Sequence, residues 1–162
     1  MNKTEKTVVK QFLYPSAIIV STEPCEVTTI LGSCIAVCII DPVLCIGGIN
    51  HYMLPLWNGI GLASPKYGNV AIEKLIDKLI MLGSKKDNLT AKVFGGGEVL
   101  ETNSVQYNIG LRNIEIAREI LNEKRIPVIS SSLGGSYGRK IIFKTHTGEV
   151  KHFFINKNFQ IH

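Results

Sequence analysis

Hydrophobic and polar positions follow three rhythms along this chain, and each rhythm predicts a kind of element. Apolar residues at helical spacing mark a helix over Val70–Leu82. Ile72, Leu75, Ile76, Leu79 and Leu82 share one face, with Glu73, Lys74, Asp77 and Lys78 outside. Asn69 reads as its N-cap and Gly83 as its stop. A second helix is expected from Gly110 or Leu111 to Glu123, with Ile114, Ala117, Ile120 and Leu121 on one side and Pro127 beyond its end. Shorter stretches read as strands: Ala17–Val20, Glu26–Leu31, Leu44–Asn50, Thr90–Phe94 and Val128–Ser132. Lys140–His146 and Glu149–Ile155 form a hairpin over Thr147-Gly148. Ile35–Ile40 is a continuous apolar run, which periodicity alone allows as strand or helix. Gly47-Gly48 suggests a bulge or a close approach of backbones. Residues 1–12 read as a loose N-terminal end or an edge segment. About eight strands and two helices, with strands dominating both ends of the chain, predict an α/β chain of the α+β type. Two packed mixed β-sheets with helices outside are expected.

Composition narrows the class. The 162 residues are read as one domain with a real core, and 45% hydrophobic with 19% charged residues is ordinary globular composition. The apolar runs are too short for the roughly 20 residues of a membrane span, so no membrane insertion is expected. The N-terminal stretch lacks an apolar signal segment, which predicts a cytoplasmic protein. The net charge is +5, yet no Lys or Arg occurs from Leu13 to Pro65. That gap predicts interior or cleft wall over the same residues. No basic cluster is interleaved with aromatics, so a nucleic-acid partner is not expected. An acidic protein partner fits the charge at least as well.

Cys25, Cys34, Cys38 and Cys45 make no C-x-x-C pair, so neither a zinc site nor a thioredoxin-type motif is expected. Without a secretory segment they are expected reduced. Cys38 and Cys45 lie in apolar runs and read as small core residues. Cys34 is different. It follows Gly32-Ser33, a pair suited to a sharp turn that exposes backbone N–H groups, and it begins an apolar segment. If that segment were helical, its N-terminus would favour a thiolate. The competing reading is a buried structural thiol. His51 is the only histidine before His146. Two antiparallel runs turning at Asp41-Pro42-Val43 would bring Cys34 and His51 to the same end, as a nucleophile and base require. Thr28, Thr29 and Asn50 are within range in sequence to orient the imidazole. Gly95-Gly96-Gly97 lacks the phosphate-loop patterns and reads as a tight turn or as contact with a substrate backbone. Leu56–Pro65 carries the only tryptophan, Trp57, and reads as a cleft rim; Gly134–Arg139 reads as a loop flanking the cleft or as a linker.

Several motifs carry a resemblance. Thr28-x-x-x-Gly32-Ser33-Cys34, His51-x-Met53-Leu54-Pro55, Phe94-Gly-Gly-Gly97, Ile109-Gly110-x-x-Asn113 and Gly134-Gly135-x-x-Gly138-Arg139-Lys140 occur in one order, followed by Phe143 and Thr147-Gly148. This set resembles the CheD family, the chemoreceptor glutamine deamidases of bacterial chemotaxis. The resemblance spans about Thr28 to Val150. It departs in the third glycine of Gly95–Gly97, where a residue such as Ala would be expected, and in the extra Cys38 and Cys45. It implies an α/β sandwich of the cysteine-hydrolase type over a single catalytic domain, 1–162. It implies Cys34 as nucleophile, His51 as base and Thr28 as the third member. Oxyanion donors would come from the backbone at Gly32 and Ser33, and substrate contacts from Trp57, Gly96, Gly97 and Gly135. No metal or cofactor is implied. The implied substrates are glutamines on the cytoplasmic helices of chemoreceptors, and the implied partner is a CheC-type phosphatase of the response regulator. A non-catalytic docking module and a glutamyl methylesterase are the other functions this set of residues allows.

Overall fold

The computed structural model describes residues 7–98 and 108–156. The strands are β1 (Val9–Phe12), β2 (Ile18–Ser21), β3 (Cys25–Leu31), β4 (Ile35–Asp41), β5 (Ile46–Asn50), β6 (Thr90–Gly95), β7 (Val128–Leu133), β8 (Gly138–Lys144) and β9 (Val150–Ile155). The helices are α1 (Gly68–Met81) and α2 (Ile109–Glu123). A four-stranded sheet has the order β1-β3-β8-β9 and a five-stranded sheet the order β2-β5-β4-β6-β7. The β1/β3 and β6/β7 pairs are parallel and the others antiparallel, so both sheets are mixed. Both helices pack on the five-stranded sheet, giving a sheet–sheet–helix sandwich, as expected for the fold class.

β4 shows why its sequence does not alternate. All seven of its residues are buried. Ile35, Val37 and Ile39 face the helices and pack with Ile72, Leu75, Leu79 and Ile114. Ala36 and Cys38 face the other sheet, where Val27, Leu31, Ile49, Phe94 and Phe143 complete a second core. A strand covered on both faces reads as one apolar run. The strand outcome also removes the helix-dipole argument for Cys34, since no helix begins there.

Two open readings are decided and one boundary differs from expectation. Residues 9–12 form β1, an edge strand whose backbone pairs with Cys25–Thr28 and whose side chains are exposed, so the edge reading holds for them; residues 1–6 lie outside the described residues. The helix α1 starts earlier, at Gly68, and its N-cap position is Tyr67 with no side-chain cap. Gly68 lies flat against Tyr52, where a Cβ would come within 2.7 Å of the ring. Asn69 serves elsewhere, its Oδ1 accepting the Trp57 N–H at 2.9 Å. Gly47-Gly48 is a close approach and not a bulge, because the β5 register runs unbroken on both sides. A Cβ on Gly48 would stand 2.7 Å from Leu75 and 2.8 Å from Val20. Among the described residues no helix is long and apolar enough to cross a membrane.

Candidate active site

The turn at Asp41 does bring Cys34 and His51 together. β4 and β5 pair antiparallel, and the ladder continues past their ends through Ile35 and Tyr52. The Ile35 N–H donates to the Tyr52 carbonyl at 3.1 Å and the Tyr52 N–H to the Ile35 carbonyl at 2.9 Å. In this register His51 stands opposite Ala36, and Cys34 stands opposite Met53. Cys34 and His51 therefore share one face of the pair as diagonal neighbours, a backbone separation of about 7–8 Å that side chains of their length can bridge.

That face looks toward the other sheet, and the other sheet supplies the orienting group. His51 is buried, and its Nδ1 lies 2.7 Å from the Thr29 hydroxyl. The same hydroxyl lies 2.8 Å from the Leu13 carbonyl. A carbonyl can only accept, so the single hydroxyl proton goes to Leu13 and the Thr29 oxygen accepts from Nδ1–H. This fixes the tautomer: Nδ1 carries the proton and Nε2 keeps its lone pair. The Leu13 N–H in turn donates to the Thr28 carbonyl at 2.8 Å. The hydroxyl that reaches His51 is thus that of Thr29, while Thr28 lies on the opposite face of β3. Strand alternation held the signal, because Cys25, Val27, Thr29 and Leu31 are the buried positions of β3.

Burial sets both titrations. It pushes the Cys34 thiol above its ordinary value, and the residue's own backbone N–H draws it part of the way back. It pushes the His51 imidazole down to about 4. At neutral pH the resting pair is a thiol and a neutral imidazole.

The turn before β4 is held from behind. The Gly32 carbonyl accepts the Gly97 N–H and the Cys34 carbonyl accepts the Gly96 N–H, each at 2.9 Å. The Ser33 carbonyl accepts Asn113 Nδ2 at 2.9 Å. Gly96 and Gly97 are buried and held in contacts within the fold, not presented at a surface. A Cβ on Gly97 would lie 2.7 Å from the Tyr137 carbonyl, and Gly96 has φ of 69° with Ile114 against it. They let β6, the Gly32–Cys34 turn and α2 meet. Gly135 is exposed with open space beside it, and its carbonyl accepts the Glu98 N–H at 2.8 Å. The Gly134–Arg139 connection is fastened by buried Arg139, which donates to Ser132 Oγ at 3.0 Å and the Gly134 carbonyl at 2.7 Å. Its guanidinium also lies over the Phe154 ring. Trp57 is held within its own loop, its indole N–H donating to the Ile60 carbonyl at 3.0 Å.

Cys25 and Cys38 are buried in the sheet–sheet core, and Cys45 lies exposed at the far turn, not in the core. Among the described residues no cluster of His, Cys, Asp or Glu has the arrangement of a metal site.

Comparison with known proteins bears on this geometry. A profile of the CheD family, described as CheD chemotactic sensory transduction, matches residues 53–152, more than half of the chain. The matched span begins after Cys34 and His51. A protein of Trichlorobacter lovleyi named "Probable chemoreceptor glutamine deamidase CheD" is 54% identical over 87% of this chain and 88% of its own length. One of the same name from Sulfurimonas denitrificans is 44% identical over 91% of this chain and 96% of its own. Another of that name, from Agrobacterium fabrum, is 43% identical over 82% of this chain and 72% of its own. Among solved structures, the hypothetical protein YfiH of Bacillus licheniformis matches with a TM-score of 0.44 and 19% identity, over 67% of this chain and 49% of its own. On the profile match and the identity to these relatives over most of its length, the chain belongs to the CheD family.

Proposed function

We propose that the chain hydrolyses glutamine side-chain carboxamides of chemoreceptors to glutamate, with Cys34 as nucleophile, His51 as base and Thr29 as the residue that orients it. The observation that carries this reading is the Leu13–Thr29–His51 hydrogen-bond chain, which leaves Nε2 unprotonated on the face that Cys34 shares. The Cys34 sulfur attacks the carboxamide carbon while its proton passes to Nε2. The oxyanion is met by backbone N–H groups of the Gly32–Cys34 turn. The C–N bond breaks, Nε2 returns the proton to the leaving nitrogen, and ammonia departs from a thioester. Water then gives a proton to Nε2 as it attacks, the C–S bond breaks, and the thiol is restored with glutamate as product.

The surface beside the site suits a protein substrate. Leu56, Ile60 and Leu62 project from the loop that follows Pro55, and Leu62 is 89% exposed. Their apolar side chains make a rim against which a receptor helix can rest. This reading puts the chain in the cytoplasm with its substrate, and gives it a CheC-type phosphatase as partner, which co-purification with that phosphatase tests. The primary test is mass spectrometry of receptor cytoplasmic fragments incubated with the protein and with Cys34→Ala. A shift of about +1 Da at particular glutamines, absent with the variant, is the expected result. Receptor binding without any such shift would leave a docking module, and methanol release from methylated fragments would make it an esterase.

A further inference from the structure

A trans peptide points its N–H opposite to the carbonyl it shares a plane with. There are no cis peptides among the described residues. The carbonyls of Gly32, Ser33 and Cys34 are all engaged on the side of β6 and α2. Their peptide planes therefore turn the N–H groups of Ser33, Cys34 and Ile35 away from that side. The Ile35 N–H is spent on Tyr52. Those of Ser33 and Cys34 remain as the turn's donors for an oxyanion.

Two of the three carbonyls are held by backbone amides. The Ser33 carbonyl is held by a side chain. Asn113, fully buried on α2, donates through the same Nδ2 to the Ser33 carbonyl at 2.9 Å and to the Met53 carbonyl at 3.0 Å. Met53 stands opposite Cys34 in the β4–β5 register, so one amide ties both strands at the site. Two facing carbonyls demand a donor, which dictates which end of the carboxamide points there. The other end, Oδ1, is buried and finds no hydrogen-bond partner among the described residues. A buried acceptor without a partner costs stability. A leucine of similar volume would avoid that cost but would hold neither carbonyl.

We propose that Asn113 is a positioning residue: its carboxamide fixes the plane of the Ser33–Cys34 peptide, so that the Cys34 N–H faces the oxyanion of the tetrahedral intermediate. The proposal rests on the hydrolytic reading above. The same N–H favours the Cys34 thiolate, which gives a readout that needs no substrate.

The test compares Asn113→Ala and Asn113→Asp with Leu121→Ala, which removes buried apolar contact from α2 well away from the turn. Rates on receptor fragments and the pH dependence of Cys34 alkylation by iodoacetamide, followed on the Cys34 peptide, are measured for each. The Asn113 variants are expected to lose on the order of 100-fold in kcat, with KM within about threefold. Their alkylation midpoint moves to higher pH. Leu121→Ala is expected to lower Tm while leaving kcat and the alkylation midpoint in place. Asn113 variants that keep kcat within about twofold, or that lose it only as far as Leu121→Ala does at equal loss of Tm, overturn the proposal. If the wild-type protein deamidates nothing, the hydrolytic reading fails by itself. The alkylation profile then decides on the peptide plane: a shifted midpoint supports the role of Asn113 and an unshifted one removes it.

Discussion

At the scale of single residues, neighbouring threonines have different tasks, and substitution separates them. Thr29→Val removes the oxygen that accepts from His51 Nδ1 and is expected to cost about tenfold in kcat, the worth of one buried hydrogen bond. Thr28→Val, on the other face of β3, is expected to stay within about twofold in the same deamidation assay. The depressed imidazole has its own consequence for rate. A base must be neutral to act, and His51 stays neutral down to about pH 4. The acid limb of kcat/KM is therefore expected well below the value of about 6.5 for a free imidazole. A limb at pH 6–7 would show that the imidazole is hydrated in the working protein and that burial does not depress it. The raised Cys34 thiol predicts slow alkylation at pH 7 that accelerates on the alkaline side.

At the scale of elements, the site is a junction between the end of β6 and the turn before β4. Gly95 has φ of 115°, and a Cβ there would run into the Cys34 carbonyl. Gly95→Ala is expected to cost at least about 2 kcal/mol of stability, through backbone strain and this overlap. It is also expected to lower deamidation at least tenfold, because the displaced carbonyl belongs to the nucleophile itself. Gly135→Ala provides the contrast. Its φ of 77° is equally left-handed but nothing stands nearby, so about 1 kcal/mol of strain is the whole effect. Urea unfolding of the two variants checks the difference. The Gly95–Gly97 segment was expected to make a tight turn or touch substrate. It makes no tight turn: past the end of β6 its backbone runs on alongside the Gly32–Cys34 segment, and the N–H groups of Gly96 and Gly97 hold the Cys34 and Gly32 carbonyls.

At the scale of the whole molecule, the proposed catalytic pair and its orienting group sit on different sheets. Cys34 and His51 flank the five-stranded sheet, and Thr29 reaches across from the four-stranded one. The site exists only when the sandwich is closed, and closure buries His51. This links protonation to folding. The unfolded imidazole binds a proton below about pH 6.5, whereas the folded one waits until about pH 4. Between those values the unfolded state holds more protons, so stability falls as pH falls through this window. The His51 contribution at stake is about 3 kcal/mol. His51→Gln removes this titration. The wild-type protein is therefore expected to lose about that much more stability than the variant between pH 7 and pH 4, read from urea midpoints at both pH values. Equal losses would place the imidazole in water.

Much was legible in the residues taken in order. The helical spacing of Ile72, Leu75, Ile76 and Leu79 fixed α1 to within two residues, since one buried stripe needs only local geometry. The Gly32-Ser33-Cys34 turn and the run back to His51 placed both groups at one end of a hairpin, because an antiparallel pair joined by a short turn has few registers. The tertiary structure alone decided what arrives from far along the chain. It chose strand over helix for β4, since burial on two faces erases alternation. It chose Thr29 over Thr28, since only packing of the two sheets shows which face meets His51. It brought Asn113, Gly96 and Gly97 behind the Gly32–Cys34 turn, where hydrogen bonds spanning more than sixty positions leave no local trace in the sequence.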